Sequence, residues 1–141
     1  MNQAVKALII ARNYMSDDSI DLCLVPSQLE MGPDCLSLEV LKHGKTPDTP
    51  APEDDCFKAA GSTKPHALAG AVANAIRDGV AHLSVSSVGP MATLRAIKAV
   101  AVARTYVAET HTVRCVPFFV DVMIGEEERT GIRLDVFSAP L

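Results

Sequence analysis

The chain has 141 residues, the length of one ordinary domain or two small ones. Apolar residues make up 48% and charged residues 21%, which excludes a disordered chain, and Lys6, Arg12, Lys98 and Arg104 interrupt every apolar run that could reach a membrane span. The formal net charge of −4 is unevenly shared: residues 1–55 hold four Lys and Arg against ten Asp and Glu, whereas residues 56–141 hold nine against seven, so an anionic partner is expected on the second part.

The spacing predicts a helix over residues 2–15, the turn Asp17-Asp18-Ser19, a strand over 20–25, the turn Gly32-Pro33-Asp34 and a second strand over 36–42. Residues 43–55 contain three prolines and four acids with no aliphatic side chain larger than alanine, and read as an extended, solvated linker. A short strand near 56–60 follows. Ser62 or Thr63 is expected to cap a helix that runs to about Asp78, with Leu68, Val72, Ala75 and Ile76 on its apolar face and Gly79 ending it. Then come a strand over 80–88, a helix opened by Gly89-Pro90 and running to about Val107, and two strands over about 112–121 and 129–137. An acidic turn, Gly125-Glu126-Glu127-Glu128, joins these two strands. The order β-α-β-α-β-β, with a right-handed first crossover and a closing hairpin, predicts an α/β fold of two layers with helices on one face.

The chain says nearly the same thing twice. Residues 3–14 (QAVKALIIARNY) and 95–106 (RAIKAVAVARTY) share six identities in twelve positions. Each is followed by an apolar stretch ending in a proline, Pro26 or Pro117, and then by the echoes CLSLEVL (35–41) and GIRLDVF (131–137). The domain reading is therefore a partial α-β-β repeat over 1–42, the linker 43–55 and a complete unit over 56–141. Within the repeated helix Ala92, Ala96, Ala99 and Ala103 form a small-residue row, and only a narrow stripe through Arg95, Lys98 and Thr105 is polar. A helix apolar over most of its surface is buried on more than one side. The first copy repeats the pattern with Ala4, Ala7 and Ala11. A helix with one hairpin leaves a sheet edge open, so the first copy is expected to dock, in a homo-oligomer or an internal pseudo-dimer.

At these residues the chain resembles the stage V sporulation protein S family of small bacterial proteins. The resemblance covers 57–138, through ALAGAVANAIR (67–77), VGPMATLRAIKAVAVAR (88–104) and IGEEERTGIRLDV (124–136), and residues 1–42 resemble the family's second half from Asn2-Gln3-Ala4-Val5-Lys6 onward. It implies an Alba-like β-α-β-α-β-β fold, an association with sporulation and binding of DNA or RNA. In Alba-type proteins the contacts lie in the loop before the first helix, the start of the second helix and the closing hairpin. The matching positions are Lys64, then Arg95 and Lys98, then Arg129 and Arg133. Alba proteins also carry paired lysines where this chain has Thr63-Lys64, and basic residues where it has Ser86, Ser87 and Met91.

With aromatics at only 4% and none interleaved with these cations, phosphate contact without base reading is expected, weakening steeply with salt. The rival reading is a protein–protein assembly module whose cations only solubilise it. The four histidines have no ligand spacing, and no nucleophile elbow or phosphate loop appears, so neither enzyme activity nor a metal or cofactor is expected. Cys23, Cys35 and Cys115 read as buried small hydrophobes and Cys56 as a surface thiol. The opening residues are helix-like without a signal-peptide pattern, which places the protein in the cytoplasm without a membrane partner.

Overall fold

The computed structural model of the protein describes residues 2–14, 20–28, 36–44 and 50–141. Helix α1 spans Asn2–Tyr14, and strands β1 (Ile20–Gln28) and β2 (Leu36–Gly44) form an antiparallel pair. After a single 3-10 turn at Glu53–Asp55 come β3 (Cys56–Ala59), α2 (Pro65–Arg77), β4 (His82–Ser87), α3 (Pro90–Tyr106), β5 (His111–Ile124) and β6 (Glu127–Pro140). The expected linker shortens, since β2 continues through His43 and Gly44; Cys35 and the two turns expected at 17–19 and 32–34 lie outside the described residues.

All six strands join one mixed sheet in the order β2-β1-β5-β6-β4-β3. Only β3 and β4 run parallel, as their crossover through α2 requires. Alternation along the strands divides the sheet's two faces. Leu83, Val85, Val113, Cys115, Ile132, Leu134 and Val136 enter the core with Leu68, Val72 and Ile76 of α2 and Ile97 and Val100 of α3. The intervening positions Arg114, Arg133, Asp135 and Phe137 lie on the opposite face.

Helix α3 is enclosed almost all round. Ala96, Ala99 and Ala103 are fully buried, and even Lys98 keeps only 9% of its surface exposed. α2 packs along α3 on one side, the strands lie beneath it, and α1 and β1 take the remaining side. Alanines keep the helix thin enough for neighbours in several directions. Helix α1 differs from the expectation of equal cover. Val5 and Ile9 are buried, but Ala4 and Ala7 are exposed and Ile10 is 49% exposed. The reason is architectural: no counterpart of α2, β3 and β4 flanks α1 among the described residues.

Two local expectations are corrected. The residue capping α2 is Lys64, whose side chain makes no capping bond; Thr63 instead accepts the Ala60 N–H with its Oγ1 at 2.8 Å and fixes the preceding turn. The closing hairpin is longer than its apolar pattern suggested, with Ile124 opposite Glu127. Its tip is therefore Gly125-Glu126, and Glu127 and Glu128 are strand residues.

Candidate nucleic-acid interface

The start of α3 is built by a short polar chain. Gly89 adopts φ +93°, a left-handed conformation that favours glycine, and turns β4 into the helix. Its carbonyl accepts both the Thr93 N–H at 3.0 Å and the Thr93 hydroxyl at 2.9 Å. Thr93 in turn lies 3.1 Å from the buried Ser87 hydroxyl. The β5–β6 hairpin closes on this corner at Gly131, where an added Cβ would stand 2.7 Å from the Ser87 carbonyl oxygen. Only glycine permits that approach without a shift of backbone.

This geometry gathers cations from separate parts of the chain. A cleft of about 170 Å³ at the helix start is lined by Gly89, Pro90 and Thr93, with Arg129 on one side and Lys6 of α1 on another. Lys64 is exposed at the head of α2, and its loop abuts the same end of α3, since a Cβ on Gly61 would lie 3.7 Å from the Met91 Cβ. Arg95 stands just past the first turn of α3, half-buried, its Nε enclosed and without a hydrogen-bond partner among the described residues. Amide groups in the first turn of a helix carry partial positive charge, which adds to the same field.

Two of the five expected residues are placed elsewhere. Lys98 is buried and makes interactions of its own. Arg133 lies on the opposite sheet face, because its neighbours Ile132 and Leu134 point into the core. There its Nε is 3.0 Å from the Asp135 Oδ1, and its guanidinium lies 4.8 Å from the Phe118 ring centroid. Asp135 is 2% exposed; burial raises its carboxyl above the ordinary range, against the opposing pull of Arg133 and His82. His82 stacks on Phe137 at 4.4 Å between ring centroids, so it is a packed residue.

Sequence reasoning passed over Lys6. Its signal was present in the repeat, which aligns Lys6 with Lys98. The same lysine position is buried in α3 and lines the cleft in α1 because α1 lacks cover on one side. Among the described residues no three His, Cys, Asp or Glu side chains meet as a metal site, and no helix is long and apolar enough to cross a membrane. Cys23 and Cys115 are buried, the latter with its thiol pushed up to about 12 chiefly by burial, whereas Cys56 is exposed.

A mixed α/β protein with a six-stranded sheet and three helices among the described residues, and with Lys6 and Arg129 lining a cleft at one helix start, is the class these observations define. A family model described as Stage V sporulation protein S (SpoVS) matches residues 1–34 and 55–139. The chain belongs to that family.

Proposed function

We propose that this chain is a non-enzymatic, cytoplasmic nucleic-acid-binding protein that holds phosphates at the start of α3 and reads no bases. Lys64, Arg95 and Arg129 carry the contact, joined by Lys6. The observation that supports it most is that Lys6 of α1 and Arg129 of the hairpin line one cleft at the start of α3, beside the loop that carries Lys64. Lys98 and Arg133 leave the contact set for the reasons of burial and face given above.

We further read residues 56–141 as an Alba-like unit and residues 1–44 as a shorter copy standing where a second subunit would stand. Reciprocal contacts support this. Leu24 and Cys115, each two residues before the proline that ends its apolar stretch, lie opposite one another in the β1–β5 pairing. Arg104 Nη1 donates to the Pro26 carbonyl at 2.7 Å and to the Ser27 hydroxyl at 2.9 Å. Its counterpart Arg12 lies 4.3 Å from the centroid of Phe118, the residue that follows Pro117 as Ser27 follows Pro26. Each helix thus reaches the equivalent point of the other copy, the relation expected of an isologous interface.

Fluorescence anisotropy with short duplex DNA and with RNA tests the binding. For about four phosphate contacts the logarithmic salt slope is roughly −3.6, so raising salt from about 50 to about 200 mM should weaken binding about a hundredfold. Lys64→Glu/Arg129→Glu should abolish binding, while Lys58→Glu, on the exposed side of β3, should lower it only mildly. Absence of binding at the lower salt, or a double variant that binds like the parent, would refute the proposal. A protein–protein assembly role is the second reading. Phe119, Met123 and Ile124 on the hairpin arm and Val40 and Leu41 on the outermost strand β2 are all at least 40% exposed, which favours a protein partner.

A further inference from the structure

At the opposite end of α3 from that cleft lies a cavity of about 720 Å³, and the function proposed above makes no use of it. It arises from how the two parts of the sheet meet. β1 and β5 share a single bridge pair, Leu24 with Cys115, whereas β1 and β2 pair over nine residues. Strands joined at one point leave a gap beside it, and here the gap is walled by side chains from both parts. Val25, Leu41, Val113 and Phe137 supply apolar surface. Lys42, His43, Arg104, His111 and Arg114 also face it, together with Glu39.

The charge is out of keeping with its surroundings. In a chain of net charge −4, three permanent cations and two histidines line one space, and among the described residues no carboxylate forms an ion pair with Lys42, Arg104 or Arg114. Arg114 is the sharpest case. Its guanidinium rests 4.7 Å from the Phe137 ring centroid, and its Nη1 is enclosed without a hydrogen-bond partner among the described residues. A guanidinium left partly desolvated without an acceptor is unfavourable, and an arriving anion would relieve it. The apolar walls meanwhile offer cover to a ring or short hydrocarbon, the combination typical of small-molecule sites.

We propose that this seam cavity binds a small organic anion, a carboxylate or phosphate ester carrying an aromatic or comparably apolar body. The anionic group sits by Arg114, with Lys42 and Arg104 lining the same cavity, and the body lies beside Val25 and Leu41, which share Arg114's face of the sheet. The site is independent of nucleic-acid binding, because Lys64, Arg95 and Arg129 all lie at the other end of the helix. A ligand there touches both copies and so strengthens the seam that joins them.

Amide NMR titration of the full chain with phenyl phosphate and with benzoate tests this, with benzyl alcohol as the neutral comparator. Saturable shifts at Val113, Arg114 and Phe137 are expected for one or both anions, with at least tenfold weaker binding of benzyl alcohol. Arg114→Met should weaken the anion at least tenfold. Lys42→Glu, on exposed β2, should do the same and decides the matter if the Arg114 variant does not fold. Benzyl alcohol binding as tightly as the anions, shifts confined to the Lys64–Arg129 end, or no saturable shift with either anion would overturn the proposal. A duplex DNA titration on the same sample reports on the other end of α3, so failure of one site is distinguishable from failure of the other.

Discussion

Leu24→Ala is the most direct perturbation of the seam. Leu24 is 1% exposed and stands at the single point where β1 pairs with β5. Truncating a fully buried leucine to alanine costs about 2–5 kcal/mol through lost transfer energy and the cavity left behind. A mid-range loss of about 3 kcal/mol is roughly a 150-fold change in an equilibrium constant, a large part of the 5–15 kcal/mol that holds a typical domain folded. The copies are also joined by the two Arg104 hydrogen bonds, the Arg12–Phe118 contact, the buried Val5 and Ile9 of α1, and Leu8, Leu36 and Leu38 packed against the same core. The loss should therefore appear first as local opening rather than global unfolding. Native-state hydrogen exchange is the assay. Amides of β1 and β2 should lose protection by about the factor above, while those of β4 and the central part of β6 change much less. Val25→Ala, half-buried on the other face, should cost under about 1 kcal/mol. A Leu24→Ala loss no greater than that of Val25→Ala would refute the account of the seam, as would β1 and β2 keeping their protection while β4 and β6 lost theirs.

Two further substitutions probe the scaffold around the sites. Gly131→Ala drives a Cβ to 2.7 Å from the Ser87 carbonyl oxygen and should cost about 1–3 kcal/mol in urea unfolding, whereas Gly70→Ala, with open space at its position in α2, should be neutral or slightly stabilising. Equal effects at the two glycines would contradict the close approach. Asp135 has its carboxyl raised in the folded state, chiefly by burial, so its contribution to stability is present in acid and lost as pH rises through the raised value. Relative to Asp135→Asn, the parent should therefore be favoured more at about pH 4 than at about pH 7, and urea titrations showing the reverse trend would refute that sign.

Much of this fold was legible because its signals are local. The 3.6-residue apolar spacing in α2, the Gly-Pro opening of α3 and the run of alternating strands each depend on near neighbours in the chain. Strand ends were not. The outer parts of β5 and β6 carry Met123, Ile124, Glu127 and Glu128, all exposed, so hydrogen bonding continues where the inside–outside pattern has stopped. The side of the full unit that takes the first copy was also hidden, since backbone pairing between β1 and β5 leaves little mark on side-chain identity. For the candidate sites the repeat gave the positions of cations but not their fates. Lys6 and Lys98 align, yet one lines a cleft and the other is buried, because burial depends on elements present around α3 and absent around α1. The seam cavity left no motif at all, its cations coming from β2, α3 and β5.

The polar stripe of α3 decides how much of the binding the helix itself can supply. Arg95, Lys98 and Arg104 sit along one helix but end in three different settings. Lys98 is buried, Arg104 is committed to the backbone and side chain of the first copy, and Arg95 is half-buried just past the first turn. Arg104 thus joins the copies, and the salt slope decides whether Arg95 takes part in the proposed phosphate contact. If Lys6, Lys64 and Arg129 alone neutralise phosphates, the logarithmic salt slope is about −2.7, against about −3.6 with Arg95 included. A slope near the larger value that drops by about one unit in an Arg95→Gln variant would give the helix a direct part in binding. A slope indifferent to that substitution would leave α3 as the scaffold on which the other cations are held.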